Sequence, residues 1–161
     1  MIRTGVIGFG LGGSAFHAPL VHAVPELALV TIATRNAEAV HAVYPKVAVT
    51  TPEAVIADPA IDLVVVSTPN DTHYPLATAA LDAGKHVVID KPFATSVAEG
   101  EALAALARAR GRLAVPFHNR RWDSDFLTVR ALIERGTLGE VLLFEAHWDR
   151  FRPGLVQPWK E

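Results

Sequence analysis

Gly8, Gly10 and Gly13 stand at G-x-G-x-x-G spacing immediately after the β-branched run Ile2-Arg3-Thr4-Gly5-Val6-Ile7. At the first position glycine permits a tight turn, at the second it lets a pyrophosphate approach the backbone, and at the third it lets the next helix sit close to the strand. A helix starting there directs its free N–H groups and positive dipole end at phosphate. Two further stretches, Ser67-Thr68-Pro69-Asn70 with His73 and Asp90-Lys91-Pro92, each follow a short apolar run. Lys91 is the candidate catalytic group. When hydride leaves a carbinol carbon, an ammonium in hydrogen-bond reach of the oxygen can polarise it or relay its proton. Pro92 restricts residue 91 toward extended geometry, which helps to aim it. Each feature has a plainer reading: a flexible glycine turn, a surface lysine after a strand, Asn70 as a helix cap. The strand before and helix after the glycines favour the dinucleotide reading, and Gly13-Ser14-Ala15 lacks the Lys-Ser/Thr pair of a P-loop.

The adenosine end carries its own chemistry. Beyond the second strand an acid normally accepts from the ribose 2′-hydroxyl. Between Glu26 and Glu38 this chain has none and offers Thr34-Arg35-Asn36. An arginine flanked by hydroxyl and amide donors suits a 2′-phosphate through charge-assisted hydrogen bonds. The expectation is NADP in preference to NAD, with NAD still possible; the alternative is that Arg35 merely begins a helix. Phe9 and Leu11 complete the turn. Seven histidines are present, but none pairs at metal-ligand spacing with a supporting carboxylate, so no metal site is expected.

These residues need a frame that brings them together. The pattern predicts a first helix over about Gly12 to Val24, kinked or split by Pro19. Strands are expected at Leu27–Ala33, Val47–Val49, Ile61–Ser67, His86–Ile89 and Leu113–Phe117. The helices between them cover Asn36–Val43, a short stretch from Pro52, Leu76–Ala83, and the run opened by the Ser96-Val97-Ala98-Glu99 capping box and closed at Gly111. Short apolar strands alternating with helices indicate a parallel α/β sheet, doubly wound in the Rossmann manner, with ligands at the central switch point. After Arg121 the pattern changes to a helix over Phe126–Gly136, a long strand over Glu140–Arg150, and a loop from Arg152. That strand carries Val141, Leu142, Leu143, Phe144 and Trp148 and finds no partner in the sequence, so another copy or another chain is expected to cover it.

The chain has 161 residues, half of them apolar, which suffices for one full core and the start of a second. A net charge of −2 without a basic run argues against nucleic acid or an anionic membrane as partner and for a small molecule. With no cysteine there is no thiolate nucleophile, disulfide framework or Cys-ligated zinc. No signal peptide or membrane-length apolar stretch is evident, and a cytoplasmic protein is expected.

Taken together, Gly8-Phe9-Gly10 with Phe16-His17-Ala18-Pro19, Ser67-Thr68-Pro69-Asn70 with His73, Asp90-Lys91-Pro92, and Asn119-Arg120-Arg121-Trp122-Asp123-Ser124-Asp125-Phe126 resemble the Gfo/Idh/MocA oxidoreductases, closest to the NADP-dependent inositol and sugar dehydrogenase branch. The resemblance spans nearly the whole chain. It implies a Rossmann domain over residues 1–120 and, from 121 to 161, the start of a C-terminal substrate and dimerisation domain. It also implies hydride transfer between NADP(H) and a secondary alcohol of a polyol, inositol or sugar. Asp90 stands where the family's Glu-Lys-Pro motif has Glu. Arg120 and Arg121 are candidates to orient substrate hydroxyls or cofactor phosphate and Trp122 to wall the pocket, with ordinary packing at a domain junction as the alternative. The resemblance extends the cofactor contacts to Asn119 and permits substrate contacts from His147, Asp149, Arg150 and Arg152. Family members continue for about as much again, and the Asp and His that usually assist proton transfer would lie beyond position 161. The rival reading is therefore a cofactor-binding module without turnover. A methyltransferase-like nucleotide fold shares the glycine turn but not the Lys91 motif.

Overall fold

Val64, Val65 and Val66 are consecutive, paired on both sides in a parallel sheet and all buried, so the strand is covered on both faces. The computed structural model describes residues 1–149 and 151, and its first unit, Met1–His118, is built around that strand. The elements run β1 (Ile2–Ile7), α1 (Ala18–Ala23), β2 (Leu27–Ala33), α2 (Ala37–Val43), β3 (Ala48–Thr50), α3 (Pro52–Ala57), β4 (Leu63–Val66), α4 (His73–Asp82), β5 (His86–Ile89), α5 (Val97–Arg110) and β6 (Ala114–Pro116). All neighbouring strands pair in parallel, in the order β3-β2-β1-β4-β5-β6. This is the doubly wound Rossmann order, and its reversal of direction falls between β1 and β4.

Alternation along the strands sends side chains to two cores. Ile7, Val64, Val66, Val87 and Ile89 pack with Ala77, Ala80 and Leu81 of α4 and Leu103 and Ala107 of α5. Val6, Ile32 and Val65 pack on the other face against Ala18 and Val21 of α1 and Val40 of α2. Each fully buried valine contributes about 1.5–3 kcal/mol, which is why this strand reads as an uninterrupted apolar run.

Local signals place the helices. Asn36 caps α2 by accepting from the Ala39 amide at 3.1 Å, and Thr51 caps α3 ahead of Pro52. Ser96 accepts from the Glu99 amide at 3.2 Å, while Glu99 reaches back to the Thr95 amide at 2.9 Å. The expected split at Pro19 takes the form of a π-helical stretch over Gly13–His17, in which the Ala18 amide bonds to the Gly13 carbonyl. Proline cannot donate there, and the wider i→i+5 turn accommodates the missing bond. Helix α4 starts earlier than expected, after a 3₁₀ turn over Asn70–Thr72; Pro75 is tolerated because it lies in the first turn. A buried lysine not anticipated from the sequence, Lys85, ties down the amino edge of β4 by donating to the Asp58 and Ile61 carbonyls at 2.6 and 2.7 Å.

The second unit comprises Asn119–Glu161. A 3₁₀ turn over Asn119–Trp122 leads into α6 (Ser124–Glu134). The expected strand over Glu140–Arg150 does not form among the described residues 140–149. With no partner to complete a ladder, its backbone takes no regular structure, and Leu142, Leu143, Phe144 and Trp148 are exposed. Arg150 and the loop from Arg152 lie outside the described residues.

Gly5 shows how tightly the first unit is packed. Beside it β2 gains one residue against β1, and a Cβ at Gly5 would stand 2.6 Å from Val55 Cγ1. Gly5→Ala should therefore lower the unfolding free energy by about 1–3 kcal/mol in urea denaturation.

Candidate functional site

At the carboxyl end of β1 the chain turns at Gly8 with φ of +101°, and a Cβ there would collide with the Ser67 carbonyl. A Cβ on Gly13 would strike the Gly8 carbonyl. Gly10 differs, because nothing lies within 4 Å of the position its Cβ would take. The protein itself has no use for the missing side chain at Gly10. The space is open above a helix start, where the Ser14 amide makes the first intrahelical bond, to the Gly10 carbonyl at 2.9 Å. Residues 11–13 therefore have amides without intrahelical acceptors, which is the donor set that suits a diphosphate.

Beside this turn lies a polar cluster built from three elements. The Asp90 carboxylate, at the end of β5, accepts the Lys91 amide on Oδ1 at 2.8 Å and the Ser67 hydroxyl on Oδ2 at 3.2 Å. His17, only 3% exposed, places Nε2 3.5 Å from Asp90 Oδ2 and rests its ring on Phe117 with centroids 4.2 Å apart. That is ion-pair range, yet Nε2 has no hydrogen-bond partner. Burial alone would push the Asp90 carboxyl up. His17, the Lys91 amide and the Ser67 hydroxyl outweigh it and hold the group below its ordinary value. A Cβ on Gly12 would stand 2.5 Å from both Asp90 Oδ2 and Ser67 Oγ. Lys91 itself is exposed at the carboxyl edge of the sheet.

The structure thus brings together Gly8, Gly10, Gly13, Ser67, Asp90 and Lys91. It corrects the expectation for His73, which is 1% exposed. Its Nδ1 lies 2.8 Å from the Pro92 carbonyl and its Nε2 2.9 Å from the Thr68 carbonyl. His73 is a positioning residue that clamps the loops after β4 and β5 together, with no ring nitrogen left for a ligand. The hydroxyls of Thr68 and Thr72 lie 2.6 Å apart, and Thr72 bonds the Pro69 carbonyl at 2.6 Å, which stiffens that loop. Pro69 and Asn70 are exposed at its tip. Phe9 packs inward, edge-on to Tyr44 with centroids 6.4 Å apart, so only its backbone belongs to the turn, while Leu11 is exposed.

At the end of β2, Thr34 accepts from the Asn36 amide at 3.2 Å. With Asn36 engaged as a cap, these two side chains shape the loop, and Arg35 stands exposed with no carboxylate at ion-pair distance among the described residues. In the second unit Asn119 begins the 3₁₀ turn. Arg120 pairs with Asp123 at 2.6 Å and lies over the Trp148 ring at 4.9 Å, while Trp122 is exposed. His147 and Asp149 approach to 3.9 Å on the exposed run. Arg150 and Arg152 lie outside the described residues. Among the described residues no group of His, Asp and Glu forms a metal cluster, and no helix is long and apolar enough to cross a membrane.

A parallel sheet with its glycine turn, open space at Gly10 and a lysine just past an adjoining strand end defines the first unit as a dinucleotide-binding Rossmann domain of the oxidoreductase type. Residues 2–118 match the model of the GFO_IDH_MocA oxidoreductase family, NAD-binding Rossmann fold, and the chain belongs to that family. It is 51% identical to the uncharacterised oxidoreductase YdgJ of Escherichia coli (strain K12) over 99% of this chain and 46% of that protein. It is 40% identical to the scyllo-inositol 2-dehydrogenase (NADP(+)) IolW of Bacillus subtilis (strain 168), over 99% of this chain and 45% of that one. The crystal structure of an oxidoreductase from Bacillus cereus superposes with a TM-score of 0.87 at 36% identity, covering 95% of this chain and 45% of its own. The chain therefore spans about half the length of the relatives it matches.

The two kinds of glycine should separate cleanly in a stability measurement. Gly8→Ala, with its positive φ and backbone collision, is expected to lose about 1–3 kcal/mol or more. Gly10→Ala is expected to stay within about 0.5 kcal/mol of wild type.

Proposed function

We infer that this chain carries the cofactor half of a dehydrogenase that moves hydride between NADP(H) and a secondary alcohol of a polyol, inositol or sugar. The observation carrying the reading is that Gly10, the one glycine of the turn whose bare Cα the fold does not require, opens onto empty space, while Gly12 of the same turn meets the Asp90 carboxylate next to Lys91. When bound, the nicotinamide ring supplies the hydride acceptor or donor. The residues do the rest. The amides at positions 11–13 hold the diphosphate, and Gly10 leaves room for it. The Lys91 ammonium polarises the substrate oxygen and holds or passes its proton at Nζ. Exposed Arg35 supplies the cation for a 2′-phosphate where an NAD site would have an acid. The NADP named for the Bacillus relative supports that choice.

Titration of the chain with NADPH and with NADH, followed by nicotinamide fluorescence, tests this. NADPH is expected to bind more tightly than NADH, Arg35→Ala to remove most of that preference, and Gly10→Ala to weaken both by roughly tenfold or more. Equal affinity of the wild type for both cofactors would end the NADP assignment. Binding of neither would end the whole reading.

A second reading concerns turnover. Because the relatives are about twice as long as the chain they match, we infer that these 161 residues alone bind cofactor without efficient catalysis. General acid–base help of the kind a further domain supplies is worth about 10²–10⁴ in rate. A panel of polyols and sugars assayed with NADP is expected to show turnover reduced by that factor, and an ordinary dehydrogenase rate would refute it.

A further inference from the structure

Asp90 is more than a spacer ahead of the lysine. Its two carboxylate oxygens serve different masters: Oδ1 takes the Lys91 amide at 2.8 Å, while Oδ2 faces Ser67 Oγ at 3.2 Å and His17 Nε2 at 3.5 Å. The Oδ2 side also bears on the glycine turn, where the position of a Gly12 Cβ would be 2.5 Å away. His17 comes from the helix that this same turn begins. It is held by the Phe117 ring, is 97% enclosed by its 3% exposure, and its Nε2 has no other polar partner. A buried imidazole with one unsatisfied nitrogen is costly unless something opposite it compensates. The Asp90 carboxylate is the group in place to do so.

We propose that buried His17 and half-buried Asp90 form a positioning pair that couples the phosphate-binding turn to Lys91, so that a displacement of the turn is felt at the lysine backbone. The proposal rests on the reading of the turn as the cofactor cradle and of Lys91 as the group acting on substrate, and it adds the link between them. Asp90 is the strut. His17 holds its free side, and Ser67 fixes its rotation. The other end of the lysine segment is held independently, since His73 meets the Pro92 carbonyl at 2.8 Å. The Asp90 contact is therefore the direct side-chain route by which a shift of the turn reaches the amide of residue 91. Among the described residues His17 is the sole basic side chain within ion-pair distance of Asp90. The lowered Asp90 value agrees with a carboxylate that stays ionised in this setting. Because that value lies below the ordinary range, the ionised strut persists above the usual aspartate pKa of about 3.9 and is lost only as the pH falls beneath it.

The test follows the backbone amide signal of Lys91 in the ¹⁵N-labelled chain. At neutral pH, Gly12→Ala and His17→Gln are each expected to move that signal, although neither residue touches Lys91. On acidification the wild-type signal follows protonation of Asp90, and its midpoint is expected to rise in His17→Gln and the transition to vanish in Asp90→Asn. A purely structural role for His17 would leave the midpoint where it is. Should acid unfold the chain first, the neutral-pH comparison decides alone. A Lys91 amide unchanged in both Gly12→Ala and His17→Gln overturns the pair. Adding NADPH to the wild type is expected to shift the same signal; failure of NADPH to bind would count against the cofactor reading, while the variant comparison would still decide the coupling.

Discussion

Everything at the carboxyl edge depends on how closely one backbone can approach another. Where β1 gives way to the first helix, the Gly8 and Ser67 carbonyls occupy space that side chains on Gly13 and Gly8 would need. Without side chains at those positions, β1, β4 and the helix start can converge at one point. The convergence concentrates free amides there, and it brings the turn against the end of β5 as well.

Topology then does what no local signal could. β1 lies between β2 and β4, so the chain leaves the sheet's centre in one direction for its first half and in the other for its second. The glycine turn, Arg35 after β2, the Ser67 loop after β4 and Lys91 after β5 all come from carboxyl ends of parallel strands, and all therefore share one edge. Family membership agrees with this arrangement. The two apolar faces keep that edge in place by burying alternate residues of the same strands.

The polar cluster beneath the edge depends on a short side chain. Asp90 holds its carboxylate near the backbone, where it accepts the amide of the following residue. Burial would favour its protonated form, and the neighbouring His17 together with two donors, the Lys91 amide and the Ser67 hydroxyl, reverses that preference. His73 performs a related task from the opposite side through two backbone carbonyls. Between them these contacts fix the segment bearing Lys91 while leaving the lysine side chain exposed.

The amino-acid sequence by itself determined the parallel α/β class, the strand and helix alternation, the glycine turn and the lysine after β5. These depend on short-range periodicity, on missing side chains and on proline and cap chemistry, all of which are local. Helix boundaries near Pro19 and Pro75 shifted because proline's effect depends on where in a helix it falls. The strand foreseen after Glu140 needed a partner, and periodicity carries no information about one. Tertiary structure alone decided that His17 opposes Asp90, that Ser67 and Gly12 meet the same carboxylate, that His73 is a clamp and that Lys85 is buried. Those roles depend on residues far apart in the chain meeting at a separation of about 3 Å, a distance at which hydrogen bonds and charges act, and only the packed sheet sets it.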